Sequence, residues 1–179
     1  MNFSTIKKRD VANGPGVRVS LFVSGCTHHC LGCFNEETWD FSYGSPFTAE
    51  TEAEIIKELS FNFIAGLSLL GGEPFEPANQ EGILPLLRKV KVAYPEKDVW
   101  CYTGYLFEKD ILQMAKESET TQEMLKRIDV LVDGPFLLEK KSLMLSFRGS
   151  SNQRIIQVPE SLETGQTVLH PIHHDHTRG

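Results

Sequence analysis

Positive charge is scarce in this chain of 179 residues: 18 Lys and Arg stand against 24 Asp and Glu, for a formal net charge of -6. Nucleic-acid binders ordinarily carry a basic patch and a high pI, so no nucleic-acid partner is expected. Long apolar runs are missing as well. Nothing approaches the roughly 20 residues that a membrane helix needs. The opening "MNFSTIKKRD" is too polar to hold the apolar region of a secretion signal. Cysteine is sparse too, at four residues. Three of these are crowded together, which argues against the disulfide framework of a secreted domain and for metal binding in a reducing compartment. The cytoplasm is therefore the expected location, with no membrane partner. Repeats and low-complexity segments are absent.

What remains is ordinary for a soluble globular protein, 40% hydrophobic and 23% charged. The length fits one domain, taken as residues 1–159. A polar C-terminal tail, 160–179, is expected to be mobile. It carries four of the six histidines, in "HPIHHDHTRG".

Strand-like and helix-like stretches alternate along the chain. "VRVSLFVSG" (Val17–Gly25) reads as a buried strand that runs straight into the cysteines. "TAETEAEIIKELSFNF" reads as a helix, with Thr51 and Glu54 as a capping box and Ile55, Ile56 and Leu59 as its apolar face. "GLSLLGGEP" is a short strand ended by glycines. "NQEGILPLLRKVKVAY" is helical from at or near Pro85. "DVWCYTGY" and "IDVLVDGPF" are strands, separated by one or two helical pieces between Leu106 and Arg127. "RIIQVP" is a fifth strand, and "QTVLH" offers a sixth. Alternation of this kind implies a parallel sheet. A closed eight-unit barrel takes about 250 residues, more than this chain has. The expected fold is α/β, an incomplete and laterally open (β/α) barrel of five to six parallel strands. An open doubly wound sheet is the alternative. Either way, the site belongs at the C-terminal ends of the strands, where "SGC", "LGGEP", "CYTGY" and "VDGPF" all fall.

The chemistry concentrates in "SGCTHHCLGCFNEETWD". Cys26, Cys30 and Cys33 stand in a C-x3-C-x2-C array. Thiolates are the soft ligands taken by zinc and by iron–sulfur clusters. With His28 or His29 as a fourth ligand the array reads as a zinc site. With three cysteines alone it reads as a [4Fe-4S] cluster that leaves one iron open. Cys101, inside a strand, reads as a buried core residue.

This cysteine loop after the first strand, followed by a "GGE" turn, resembles the radical S-adenosylmethionine superfamily. "NGPGVRVSLFVSGCTHHCLGCFN", "GGEP", "YTGY", "DGPF" and "RGSSNQRI", in that order from Asn13 to Ile155, are similar to the activating proteins of the anaerobic ribonucleoside-triphosphate reductase. The resemblance implies that Cys26, Cys30 and Cys33 hold a [4Fe-4S] cluster whose open iron chelates S-adenosylmethionine. Reductive cleavage would then give a 5'-deoxyadenosyl radical, which would take hydrogen from a glycine in the large subunit of the reductase. An electron donor such as a flavodoxin or a thiol system is also implied. A radical enzyme acting on a small molecule, and a zinc-binding interaction module, are the alternatives.

Within that frame the turn Gly71, Gly72, Glu73 and Pro74 is expected to hold the cofactor's amino group. Glu73 would accept from its ammonium, and the glycines would allow close backbone approach. Gly32, Cys33 and Phe34 are expected to meet the adenine. Many members of the superfamily carry an aromatic residue where this chain has Gly32. Thr103 at a strand end is a hydrogen-bonding candidate, and Asp133 a candidate for a ribose hydroxyl. Arg148, near Asn152, Gln153 and Arg154, suits a carboxylate of the cofactor or of the partner. His28 and His29 are expected to face solvent or the partner rather than bind iron.

Overall fold

The computed structural model describes residues 1–174. Its centre is a parallel run of β2 (Val17–Val23), β4 (Ile64–Gly71), β5 (Asp98–Tyr102) and β6 (Val130–Asp133). On one side the sheet continues through β1 (Asn2–Asp10), antiparallel to β2, to the two-residue β3 (Ser45–Pro46). On the other side β7 (Arg154–Gln157) joins antiparallel to β6. The order is β3-β1-β2-β4-β5-β6-β7, so the sheet is open and mixed.

The crossovers carry α1 (Ala49–Leu59), α2 (Pro77–Ala93) and the pair α3 (Leu112–Glu117) and α4 (Glu119–Leu125). The parallel strands follow one another in chain order without reversal. Right-handed crossovers in an unreversed order place their helices on a single face. A doubly wound sheet needs a reversal of strand order, and none is present among the described residues.

Strand alternation sorts side chains between the two faces. Val19, Leu21, Val23, Leu67, Leu69, Val99, Cys101 and Leu131 join Ile55, Leu59, Ile83, Leu86, Leu87 and Val90 from the helices in one core. The residues between them in the strands face the other way. They include Arg18, Ser20, Ser68, Trp100 and Val132, all buried, with Trp100 and Val132 in a second cluster with Val130 and Ile155.

Several local expectations are corrected. β1 is a nine-residue, largely polar strand whose pattern gives no apolar alternation to read. β7 is antiparallel, because the chain after β6 returns through a loop holding only a short 3-10 turn, Leu138–Lys140, and no crossover helix. The parallel strands thus number four. Thr48, not Thr51, caps α1, its side chain accepting from the Thr51 N–H. α2 begins at Pro77 and carries Pro85 inside it. Pro85 and Glu81 are both exposed, so water can take up the Glu81 carbonyl that lacks its helical donor. The helical stretch after Leu106 divides at Ser118, whose hydroxyl caps α4.

The chain from Pro159 to His174 folds back onto the protein. α5 (Val158–Thr164) follows β7 directly, Leu169 bridges to Ile156, and a 3-10 turn spans Pro171–His174. Ile172 packs against the Trp100 cluster, and the His170 ring lies edge-on to Trp100 at 5.6 Å. The remainder of the histidine-rich tail, with His176, lies outside the described residues. No helix among the described residues is long and apolar enough to cross a membrane.

Arg18 anchors the polar face. It is fully buried, donating to Ser68 Oγ at 2.8 Å and the Leu67 carbonyl at 3.0 Å, and pairing with Asp98 at 2.7 Å. The "NGPG" turn wraps it. A Cβ at Gly14, where φ is +124°, would sit 2.8 Å from Arg18 Cδ. Arg18→Ala is expected to cost about 3 kcal/mol in urea unfolding, from stranded acceptors and the cavity left behind. Asp98→Asn leaves the buried guanidinium without its anion and is expected to cost about 2–3 kcal/mol, below a fully buried pair because that carboxylate is 40% exposed.

Candidate functional site

The loop after β2 carries the three thiols and is tied down at its start. Gly25 N–H donates to the Thr38 carbonyl at 2.7 Å and Cys26 N–H to the Trp39 carbonyl at 3.2 Å. Thr27 donates through its N–H and its hydroxyl to the Glu76 carboxylate at the start of α2. Cys30 and Cys33 close a turn, with Cys33 N–H donating to the Cys30 carbonyl at 3.1 Å. All four cysteines are free thiols, and Cys101 is buried in the core.

Cys26, Cys30 and Cys33 line one cavity of about 560 Å³, within the usual size of a small-ligand site. Phe34, Gly71, Gly72, Glu73, Thr103 and Arg148 line it as well. Gly32, Pro74 and Asp133, also expected at the site, do not. Gly32 has φ +71°, and a Cβ there would press within 3.1 Å of Leu138. The turn between Cys30 and Cys33 thus asks for a glycine.

Glu73 holds the site together. It is 1% exposed. Its Oε1 accepts from the Phe75 N–H at 2.9 Å, and its Oε2 from the Gly104 N–H at 2.8 Å and from His28 Nε2 at 2.9 Å. The carboxylate expected to meet a ligand's ammonium is therefore taken up inside the protein. His28, expected to face solvent or the partner, is instead bonded to Glu73 at the cavity. It lines the cavity, stacks edge-on to Tyr105 at 4.4 Å, and has its pKa raised, chiefly by the hydrogen bond with Glu73. Its partner lies 45 residues away, so no local signal marks it.

The two glycines of the turn serve contact between segments. A Cβ on Gly71 would lie 2.7 Å from the Val23 carbonyl oxygen, and one on Gly72 2.6 Å from that of Gly25. The end of β4 therefore packs directly on the start of the cysteine loop. Thr103 Oγ1 accepts from the Tyr105 N–H at 3.1 Å, which stabilises its turn. Phe34 and Phe136, rings 5.2 Å apart, offer an aromatic wall in the cavity.

Asp133 points elsewhere. It is fully buried, accepts from the Phe107 N–H at 2.9 Å, and is gripped by the Arg154 guanidinium. Arg154 also bridges to Glu108 at 2.6 Å. These two residues join β6, β7 and the turn after β5, a structural role. Asn152 and Gln153 brace the neighbouring loop, donating to the carbonyls of Pro135 and Gly134.

The donor set suits a cluster. Burial, with Glu73 and Cys30 nearby, pushes the Cys26 thiol up to about 11, and burial raises Cys30 as well. Such thiols gain from a cation that displaces their protons. A single zinc ion needs its ligands within about 2.3 Å of one point. No three His, Cys, Asp or Glu side chains among the described residues converge in that way. Three thiols on one cavity are the soft donors that an iron–sulfur cluster takes.

Arg154→Leu would leave Asp133 buried without its cation, an expected loss of about 3–5 kcal/mol in urea unfolding near neutral pH. Arg154 is also the main cause that holds the Glu108 carboxyl at about 2, below its ordinary 4.5. That contact stabilises above pH 4.5 and is lost as pH falls toward 2. The stability gap between wild type and variant should shrink over that window.

Comparison with known proteins points the same way. A family model described as a 4Fe-4S single cluster domain matches residues 12–156. A protein of Vibrio cholerae, named anaerobic ribonucleoside-triphosphate reductase-activating protein, is 45% identical over 157 residues, covering 87% of this chain and 97% of the relative. Proteins with the same name from Enterobacteria phage T4 and Escherichia coli K12 are 46% and 43% identical, covering 87% and 86% of this chain and 93% and 96% of the relatives.

Proposed function

The chain belongs to the family of anaerobic ribonucleoside-triphosphate reductase-activating proteins, and on that premise we propose that it makes a glycyl radical on such a reductase by cleaving S-adenosylmethionine at a [4Fe-4S] cluster. The observation that carries the reading is the placement of Cys26, Cys30 and Cys33 on one cavity, beside the Gly71–Gly72 turn, with room for a nucleoside-sized ligand. When bound, the cluster would supply the low-potential electron that splits the sulfonium into methionine and a 5'-deoxyadenosyl radical, the agent that would take hydrogen from a glycine Cα of the large subunit of the reductase.

The chain's own residues hold and shield. Cys26, Cys30 and Cys33 would hold the cluster through three thiolates, and the cofactor would take the iron they leave open. With Glu73 engaged, the cofactor's ammonium is left to backbone carbonyls around the turn. Phe34 and Phe136 give the adenine an apolar face, in place of the aromatic residue that Gly32 replaces. The buried walls keep water from the radical. The sheet, open along its length and holding the site at the strand ends, supports the reading of a partial barrel that a partner's loop enters from the side. Leu31, Phe34, Leu138, Leu143 and Met144 are exposed apolar side chains. All five fall in the two loops that supply Phe34, Phe136 and Leu143 to the cavity, and they suit contact with a protein substrate. A flavodoxin or a thiol system in the cytoplasm would supply the electron.

Two outcomes are expected. After anaerobic reconstitution, Cys26→Ala, Cys30→Ala and Cys33→Ala should each lose cluster iron and its broad visible absorption. Cys101→Ala should retain both, and loss of iron there would mean that the ligand set is wrong. Reduced protein mixed with S-adenosylmethionine and the anaerobic reductase should give a glycyl radical signal by electron paramagnetic resonance. Cofactor cleavage coupled to turnover of a small molecule, without that signal, would refute the reductase as substrate.

A further inference from the structure

Every other described arginine has an acidic partner: Arg9 with Glu58, Arg18 with Asp98, Arg88 and Arg127 with Glu123, and Arg154 with Asp133. Arg148 has none among the described residues, and it lines the cavity that holds the three thiols. Its Nη1 donates to the Gln153 carbonyl at 2.9 Å and to His173 Nδ1 at 2.8 Å. Its Nη2 donates to the His173 carbonyl at 2.7 Å. These acceptors orient the guanidinium without cancelling its charge. A guanidinium has five N–H donors, so two remain, one on Nε and one on Nη2. Nε is buried and without a partner. Burial lowers the Arg148 pKa, with no carboxylate acting against it.

The brace comes from beyond residue 156, where the family match ends. The Ile155 N–H also points at His173 Nδ1, at 3.2 Å, which marks that nitrogen as the acceptor. The C-terminal segment is thus part of the site's support.

We propose that Arg148 is a carboxylate receptor inside the cavity, and that the C-terminal segment positions it through His173. Nε and the free Nη2 hydrogen form a side-on pair of donors, the geometry that meets the two oxygens of a carboxylate. The proposal rests on the activase reading above, which offers two sources of that carboxylate. One is the amino-acid end of S-adenosylmethionine. The other is an acidic side chain on the reductase.

The test uses the cluster-loaded protein and titration calorimetry with S-adenosylmethionine, its decarboxylated counterpart and the reductase. Arg148→Gln should weaken S-adenosylmethionine about 10- to 100-fold and leave the decarboxylated compound unchanged. Arg148→Lys, which keeps the charge but not the fork, should fall between and guards against a folding defect. His173→Leu should weaken S-adenosylmethionine several-fold, and His173→Asn, which keeps an acceptor near the Nδ1 position, should restore it. Unchanged affinities for both nucleosides with a tenfold loss of reductase affinity would assign the carboxylate to the reductase. The proposal fails if Arg148→Gln changes none of the three affinities, or weakens both nucleosides equally. Wild-type protein that binds neither S-adenosylmethionine nor the reductase would instead refute the activase reading, and the proposal with it.

Discussion

A carboxylate that is 1% exposed must find its donors inside the protein, and Glu73 finds them on three segments. It accepts from its own turn at Phe75, from the turn after β5 at Gly104, and from the cysteine loop at His28. These turns leave neighbouring parallel strands, and Glu73 adds a common acceptor to the backbone bonds that Gly72 and Glu73 N–H make to the Val23 and Gly25 carbonyls. Gly104 is held so near that a Cβ there would come within 2.6 Å of the His28 ring. Glu76 repeats the arrangement one turn along by taking two bonds from Thr27. The cysteine loop has no regular structure from Cys26 to Cys33, so these carboxylates supply the order that a helix or strand would otherwise give.

The same economy governs the sheet. Because the central strands run in unreversed order, the helices cover one face and the other is left to a cavity. One end of that second face is polar although buried: Arg18, Ser20 and Ser68 lie in it, all fully buried. A buried cation is tolerated only when paired and hydrogen-bonded, and Arg18 meets the condition through Ser68, Asp98 and two backbone carbonyls. Trp100, with its ring centre 5.7 Å from Arg18, joins this polar end to the apolar cluster that Phe147 and Ile172 help to cover.

What could be read in advance followed what is local. The thiols share eight residues of sequence, and their chemistry is fixed by type and spacing. Most strands of the central run were legible because each is a short segment rich in apolar residues and ended by a glycine turn. Strand direction is another matter. Nothing in "RIIQVP" distinguishes parallel from antiparallel, and the outcome is decided by the missing crossover helix before it. Side-chain roles at the strand ends were the hardest. Glu73 and Asp133 both look like acids free at the tip of a strand. Apart from the Phe75 N–H, their donors lie 45, 31, 26 and 21 residues away, a separation that only tertiary structure reveals. Gly32 was visible as a departure, and its reason, a left-handed turn against Leu138, was not.

The electrostatics of the cavity run against those of the chain. The protein carries a net charge of -6, yet Glu73 is the single Asp or Glu lining the cavity among the described residues, and its oxygens are engaged. Lys7 and Arg148 also line it. Thiolates bound to a cluster bring negative charge into this space, which a low local dielectric makes strongly felt. An unneutralised guanidinium on the same wall opposes that charge and leaves an anionic ligand group a place to settle. A carboxylate fixed beside Arg148 would remove both effects. The neutral acceptors of Gln153 and His173 hold the group in position while leaving its charge to the cavity.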